Sequence, residues 1–164
     1  MSDILHAWAV APAAVGACCL AADRARVRPP EVMASVLMLL AMLDAGLSRL
    51  VAPVWWTAML LAGAVTLAIW RRPRQRRPPR VPALMTMHTT LGMIVMAGLQ
   101  VGMAGHAGTS GHAHGLDPAP VLIGAATVYA VLSVGVIGRM PARLDRGQIG
   151  AMAASVVLMA VATW

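Results

Sequence analysis

The sequence predicts an all-α integral membrane helical bundle, a single domain over residues 1–164 with about six transmembrane helices and both termini extracytoplasmic. Three observations predict it. Apolar runs of roughly 18–20 residues recur along the chain, close to the ~20 that cross a bilayer as helix. Arginines cluster in every second connection, and tryptophans fall near the run ends. Hydrophobic residues make up 59% and charged residues 12%, about half the charged share of a soluble domain. A soluble fold built from such a chain has too little polar surface to cover itself.

The spans are expected near 4–22, 32–48, 53–70, 82–105, 120–138 and 147–164. The first has Asp3 before it and arginines after it, the reverse of a signal peptide's charge order, so it is expected to be retained. It holds Cys18 and Cys19 side by side; adjacent cysteines bridge only with strain, so no disulfide framework is expected. The bland reading is small apolar filler, and a thiolate metal pair is the sharper alternative. Asp44 and Arg49 interrupt the outer part of the second span. The third opens with Pro53, which suits a first helical turn because the missing N–H needs no partner there.

All thirteen basic residues are arginine. Arg24, Arg26 and Arg28 follow the first span; Arg71, Arg72, Arg74, Arg76, Arg77 and Arg80 follow the third; Arg139, Arg143 and Arg146 follow the fifth. Only Arg49 falls on the other side. By the positive-inside rule these three connections are cytoplasmic, and the setting is a multi-pass protein of a bacterial plasma membrane. Trp8, Trp55, Trp56 and Trp164 then lie near outer ends and Trp70 at an inner end, where an apolar ring with a polar N–H is favoured. The net charge of +7 is thus a topology signal and excludes nucleic acid as a partner. Segment 71–80, rich in arginine and proline, cannot be helical throughout and reads as a topology anchor.

The thirteen methionines concentrate in the even-numbered spans, which all run from inside to outside. Met38, His88 and Met152 each lie about five or six residues from an inner end, roughly 8–9 Å deep. Met42, Met93 or Met96, and Met159 form a second layer about 10–14 residues in. In the fourth span Met85, His88, Gly92, Met96 and Met103 fall within one ~80° stripe, and Gly98 with Gly102 marks a close helix contact. Thioethers are soft neutral ligands that suit Cu(I), and imidazole can join them. Neutral donors also avoid burying anionic charge in hydrocarbon. The competing reading is packing, since methionine fills helix contacts and any packed face shows spacings of four and seven.

The outer loop 106–120 carries His106, His112 and His114 beside Asp117. Its His-x-His suits copper(II) or zinc loosely, and a plain solvated loop is the alternative. Asp44 is an ion-path candidate because a carboxylate inside a span is costly; a polar cap with Ser48 or Arg49 is the structural alternative. There is no nucleotide loop, no nucleophile set and no pair of interior carboxylates, so the chain is read as no enzyme.

The runs ASVLMLLAM with Met38 and Met42, MHTTLGMIVM with His88, Met93 and Met96, GHAGTSGHAHG, and AMAASVVLMA with Met152 and Met159 carry a resemblance. Over most of residues 32–164 the chain is similar to an uncharacterised family of small actinobacterial membrane proteins, a domain-of-unknown-function family. The resemblance implies His/Met-rich helices and a His-rich extracellular loop. It also implies a histidine opening the Met-rich runs of spans two and six, where this chain has Ser35 and Gly150.

The leading expectation is soft-metal handling, with copper as the bound ion, by Met38, Met42, His88, Met96, Met152 and Met159, the outer histidines acting as a collecting loop. A non-catalytic accessory or assembly subunit, held to other membrane-protein subunits in the bilayer, is the second expectation. An ion or proton carrier centred on Asp44 is the third.

Overall fold

Helix is the only structure in which a long apolar segment satisfies its own backbone away from water, and helix is what the computed structural model contains throughout its ordered elements. It describes residues 2–22, 29–70, 80–108 and 118–162, with side chains described from 8–22, 29–70, 83–103 and 118–162. The elements are α1 (Ser2–Ala22), α2 (Pro29–Leu43), α3 (Pro53–Trp70), α4 (Arg80–Gly108), α5 (Ala119–Ile137) and α6 (Arg143–Ala162), with a π-helical segment, Asp44–Ser48, closing α2. Five of these stretches, Pro29–Ser48, Pro53–Trp70, Ala83–Met103, Ala119–Ile137 and Arg143–Ala162, are long and apolar enough to cross a membrane. Among the described residues of α1 the apolar stretch is Trp8–Ala22.

Helix ends follow local chemistry. Prolines begin α2 and α3, where no helical N–H is lost. The C-terminal end of α2 widens into a π turn whose last hydrogen bond runs from the Arg49 N–H to the Asp44 carbonyl, 2.6 Å. Arg49 closes it in the left-handed region at φ 49°, a conformation that costs a side-chain-bearing residue energy and that neighbouring contacts must hold. At the other end of the chain α6 starts at Arg143, earlier than the expected 147. Its first turn carries Asp145, whose charge suits a helix N-terminus. The Arg146 Nε–H turns back to the Met140 carbonyl, 2.7 Å, so charged residues begin the helix before the apolar run does.

α1 packs most extensively on α6, and α3 on α4. Small residues set both seams. A Cβ at Gly16 would lie 3.4 Å from Ala151 Cβ, and one at Gly147 would lie 3.4 Å from Cys19 Sγ. A Cβ at Gly63 of α3 would sit 2.5 Å from Met93 Cε of α4, and one at Gly98 would sit 3.0 Å from Leu122 of α5. The main core gathers residues of all six helices around Met38, Met93, Met96, Tyr129 and Met159. A smaller cluster, Met85, Val136, Met140 and Ile149, sits where α4, α5 and α6 meet near the arginine-bearing turn.

Candidate functional site

Four methionines from three helices line one small cavity: Met38 and Met42 of α2, Met96 of α4 and Met152 of α6. Ala13 and Ala17 of α1 close one side, small enough to let the other three helices approach. The cavity is about 20 Å³, room for roughly one water-sized body. Its two polar groups are the hydroxyls of Ser35 and Ser155. Ser155 Oγ donates to the Ala151 carbonyl at 2.9 Å. Ser35 Oγ is buried without a hydrogen-bond partner, and burying a hydroxyl unpaired costs free energy. Among the described residues no charged side chain lines the cavity.

Met38 and Met152 each stand roughly nine residues into their helices, ~14 Å along the axis, so they meet at one depth. The inward direction is general. Met38, Met42, Met85, Met93, Met96, Met140, Met152 and Met159 are buried, whereas Met33, Met59 and Met87 are exposed. Thioether sulfurs around an uncharged void favour soft cations and offer little to hard ones, which demand carboxylate or carbonyl oxygen. Among the described residues no group of three or more His, Cys, Asp or Glu is placed to hold a metal ion.

His88 does not line this cavity. It packs against α5: its Nε2 is 2.8 Å from Ser133 Oγ, and its Nδ1 is 3.4 Å from Tyr129 Oη. Ser133 Oγ already donates to the Tyr129 carbonyl at 2.7 Å, so it accepts from His88. That assigns the Nε2–H tautomer and leaves Nδ1 to accept from the tyrosine hydroxyl. The two rings stack with centroids 4.8 Å apart. Gly92 makes the space, because a Cβ there would lie 2.7 Å from Tyr129 Oη. The physical reason is angular. His88 and Met96 sit at opposite edges of their ~80° stripe, wide enough for one edge to face α5 and the other to face α2 and α6.

Met159 is fully buried in the same core and does not line the cavity. His106 falls within α4, but its side chain lies outside the described residues, as do His112 and His114 altogether. Cys18 is exposed and Cys19 half-buried.

Asp44 is buried, and both of its oxygens are engaged. Oδ1 accepts from Ser48 Oγ at 2.8 Å and the Leu50 N–H at 2.9 Å; Oδ2 accepts from the Val51 N–H at 3.1 Å and Trp56 Nε1–H at 2.7 Å. The carboxylate ties the π turn, the α2–α3 connection and the first turn of α3 together. Trp56 is buried for that reason and points inward, while Trp8, Trp55 and Trp70 are exposed.

Sequence reasoning treated Asp44 as the one acidic residue inside a span. Glu31 and Asp145 are buried as well, in the first turns of α2 and α6. Glu31 accepts from Thr86 Oγ1 at 3.0 Å. Asp145 Oδ2 and Gln148 Nε2 are buried without hydrogen-bond partners. Ser155 was missed, and Ser35 entered only as the residue standing where the resemblance implies a histidine, although Ser35 with Met38 and Ser155 with Met152 are both i, i+3 pairs that share a helix face. Compared with family models, curated proteins and solved structures, the chain matches none.

Proposed function

We propose that the chain is a multi-pass protein of the bacterial plasma membrane that binds a soft monovalent metal ion, Cu(I), through Met38, Met42, Met96 and Met152. Its arginine-rich connections are cytoplasmic and both termini are extracytoplasmic. The convergence of four thioethers from three helices on one uncharged cavity carries this reading. The partnerless Ser35 hydroxyl supports it, since an occupant of the cavity would relieve that group's isolation. Outer histidines His106, His112 and His114 would collect the ion, and Met159 would stand on its route through the core. The protein does no covalent chemistry in this reading; it handles metal, and its resemblance to the actinobacterial His/Met-rich family supports the fold and the setting.

The direction of the methionines separates this from the accessory-subunit reading, in which Met and Gly faces turn outward to a partner. The engagement of both Asp44 oxygens by four donors weighs against an ion path through that residue.

The test is Cu(I) loading of the detergent-purified protein under reducing conditions, with metal counted per chain. Wild type is expected to hold about one copper, and Met38→Leu or Met96→Leu roughly a tenth of that. Methionine-to-leucine swaps conserve volume and cost under ~1.5 kcal/mol, so lost copper then reports lost ligands and not lost fold. His88→Phe is expected to keep its copper. A wild-type protein that takes up none under these conditions would sink the proposal.

A further inference from the structure

We propose that the cation held in the methionine cavity enters and leaves through a polar track at the end where α2 and α6 begin, lined by Glu31 and Ser35 of α2, Thr86 of α4, and Asp145 and Gln148 of α6. The inference rests on the Cu(I) reading for the identity of the ion and adds the route it takes. Three helices carry the track on the same faces that line the cavity. On α2, Glu31, Ser35, Met38 and Met42 fall within one stripe ~60° wide. On α6, Asp145, Gln148, Met152 and Ser155 fall within ~80°, as do Thr86 and Met96 on α4. Ser35, Met38, Met42, Met96, Met152 and Ser155 line the cavity, so the remaining members continue its walls toward the helix starts. The depths agree: Glu31 to Met38 and Asp145 to Met152 each cover roughly 10 Å of helix rise. Thr86 Oγ1 donates to Glu31 at 3.0 Å, which joins α4 to α2 at the mouth.

Burial combined with missing partners is what selects a cation path. Ser35, Asp145 and Gln148 are 8%, 9% and 2% exposed. Among the described residues, Ser35 Oγ, Asp145 Oδ2 and Gln148 Nε2 are the buried side-chain polar atoms without a hydrogen-bond partner, and all three lie on this track. Burying such groups unpaired is costly, and polar groups inside spans mark substrate and ion pathways. A first-turn acid is ordinarily explained by the helix dipole. The dipole accounts for the charge of Asp145 but not for its burial. Nor does it account for an unpartnered amide one turn further in, or for an unpartnered hydroxyl on another helix. The sign of the charge also suits a cation. Glu31 and Asp145 are buried, whereas Arg143 and Arg146 are exposed and the Arg146 Nε–H is held by the Met140 carbonyl. Carboxylate, hydroxyl and amide oxygens can replace an ion's hydration shell in steps until the thioethers of the cavity take over.

Silver(I), a soft monovalent ion that seals thiols, tests the track in sealed membrane vesicles of both orientations and chloride-free buffer. With Cys18 and Cys19 replaced by serine, single cysteines are introduced as Ser35→Cys, Gln148→Cys and Val65→Cys. Thiols left free after silver are then counted with maleimide in denatured protein. Ser35→Cys and Gln148→Cys are expected to be sealed faster from the side that reaches Arg76→Cys than from the other side. Val65→Cys, on an exposed face of α3, should stay open to maleimide. Sealing at equal rates from both sides, first from the other side, or no faster than Val65→Cys would each overturn the track. Copper exchange tests the carboxylate. In copper-loaded, detergent-purified protein, Asp145→Asn should keep about one copper per chain and release it to a soluble chelator at least about tenfold more slowly, the lower bound where like-signed charges steer an ion. Gln148→Met, close in volume, should slow release as well. Unchanged release in both variants would reduce these groups to unpaired polar packing and overturn the proposal. A wild type that binds no copper would sink the Cu(I) reading, while the silver result would still decide the track.

Discussion

At Asp44 a carboxylate is stabilised in an apolar span by four donors supplied within twelve residues of chain. Asp44→Asn keeps one acceptor oxygen and turns an amide toward two N–H groups or toward a hydroxyl and an N–H. It should cost about 1.5–3 kcal/mol, the range for hydrogen bonds to a charged group, and a lower thermal midpoint in detergent checks it. His88 presents the converse case. It needs two partners in the interior and has both on α5. Ser133→Ala leaves the Nε2–H of His88 buried without an acceptor, a loss of about 1–3 kcal/mol. Copper binding should survive that change, and a copper deficit in Ser133→Ala would return the imidazole to the metal site.

Helix α4 shows how one element serves several neighbours. Gly98 and His88 address α5, Met96 addresses the cavity, and Met93 addresses Gly63 of α3. Gly92 is the tight point, and Gly92→Ala forces Tyr129 off its histidine; overpacking of this kind costs about 1–3 kcal/mol, again read as a drop in thermal midpoint. The α1–α6 seam makes a second prediction. α1 and α6 approach closely at Gly16 and Gly147, so this seam depends on small residues there. Gly16→Leu should lift α1 from α6 and expose Cys19. In a Cys18→Ser background, faster maleimide labelling of Cys19 is the expected result, and an unchanged rate would show that the seam yields elsewhere.

For the whole molecule the question is orientation. In a background lacking Cys18 and Cys19, a membrane-impermeant maleimide should label Thr109→Cys in intact cells. Arg76→Cys should be labelled only after permeabilisation. The opposite pattern would invert the assigned topology while leaving the helix packing intact. The buried polar groups have a distribution that bears on this. Glu31, Asp145 and Gln148 gather in the first two turns of α2 and α6, at the end where arginines flank the helices, whereas the Asp44 network braces the opposite end.

Much of the fold was legible from the chain alone, because hydropathy and charge act locally. Pro53 marked the start of α3 and Asp44 the disturbance in α2, and each expected span coincides with a helix to within a few residues. Its limits appear at Arg143, where the helix begins before the apolar run because water tolerates charge in a first turn. Half of the candidate site was legible too: Met38, Met42, Met96 and Met152 do come together. Rotation was not. Spacing places His88 and Met96 on one stripe, but only packing decides which interhelical seam each edge of that stripe enters. Gly92 lets Tyr129 close over His88, Gly63 admits Met93, and these two contacts help set how α4 is turned. The sequence by itself determined which segments are apolar enough to span and which connections carry the positive charge. The tertiary structure decided that four methionines face one cavity and that the histidine does not, because side-chain convergence is a property of neighbouring helices and not of any one of them.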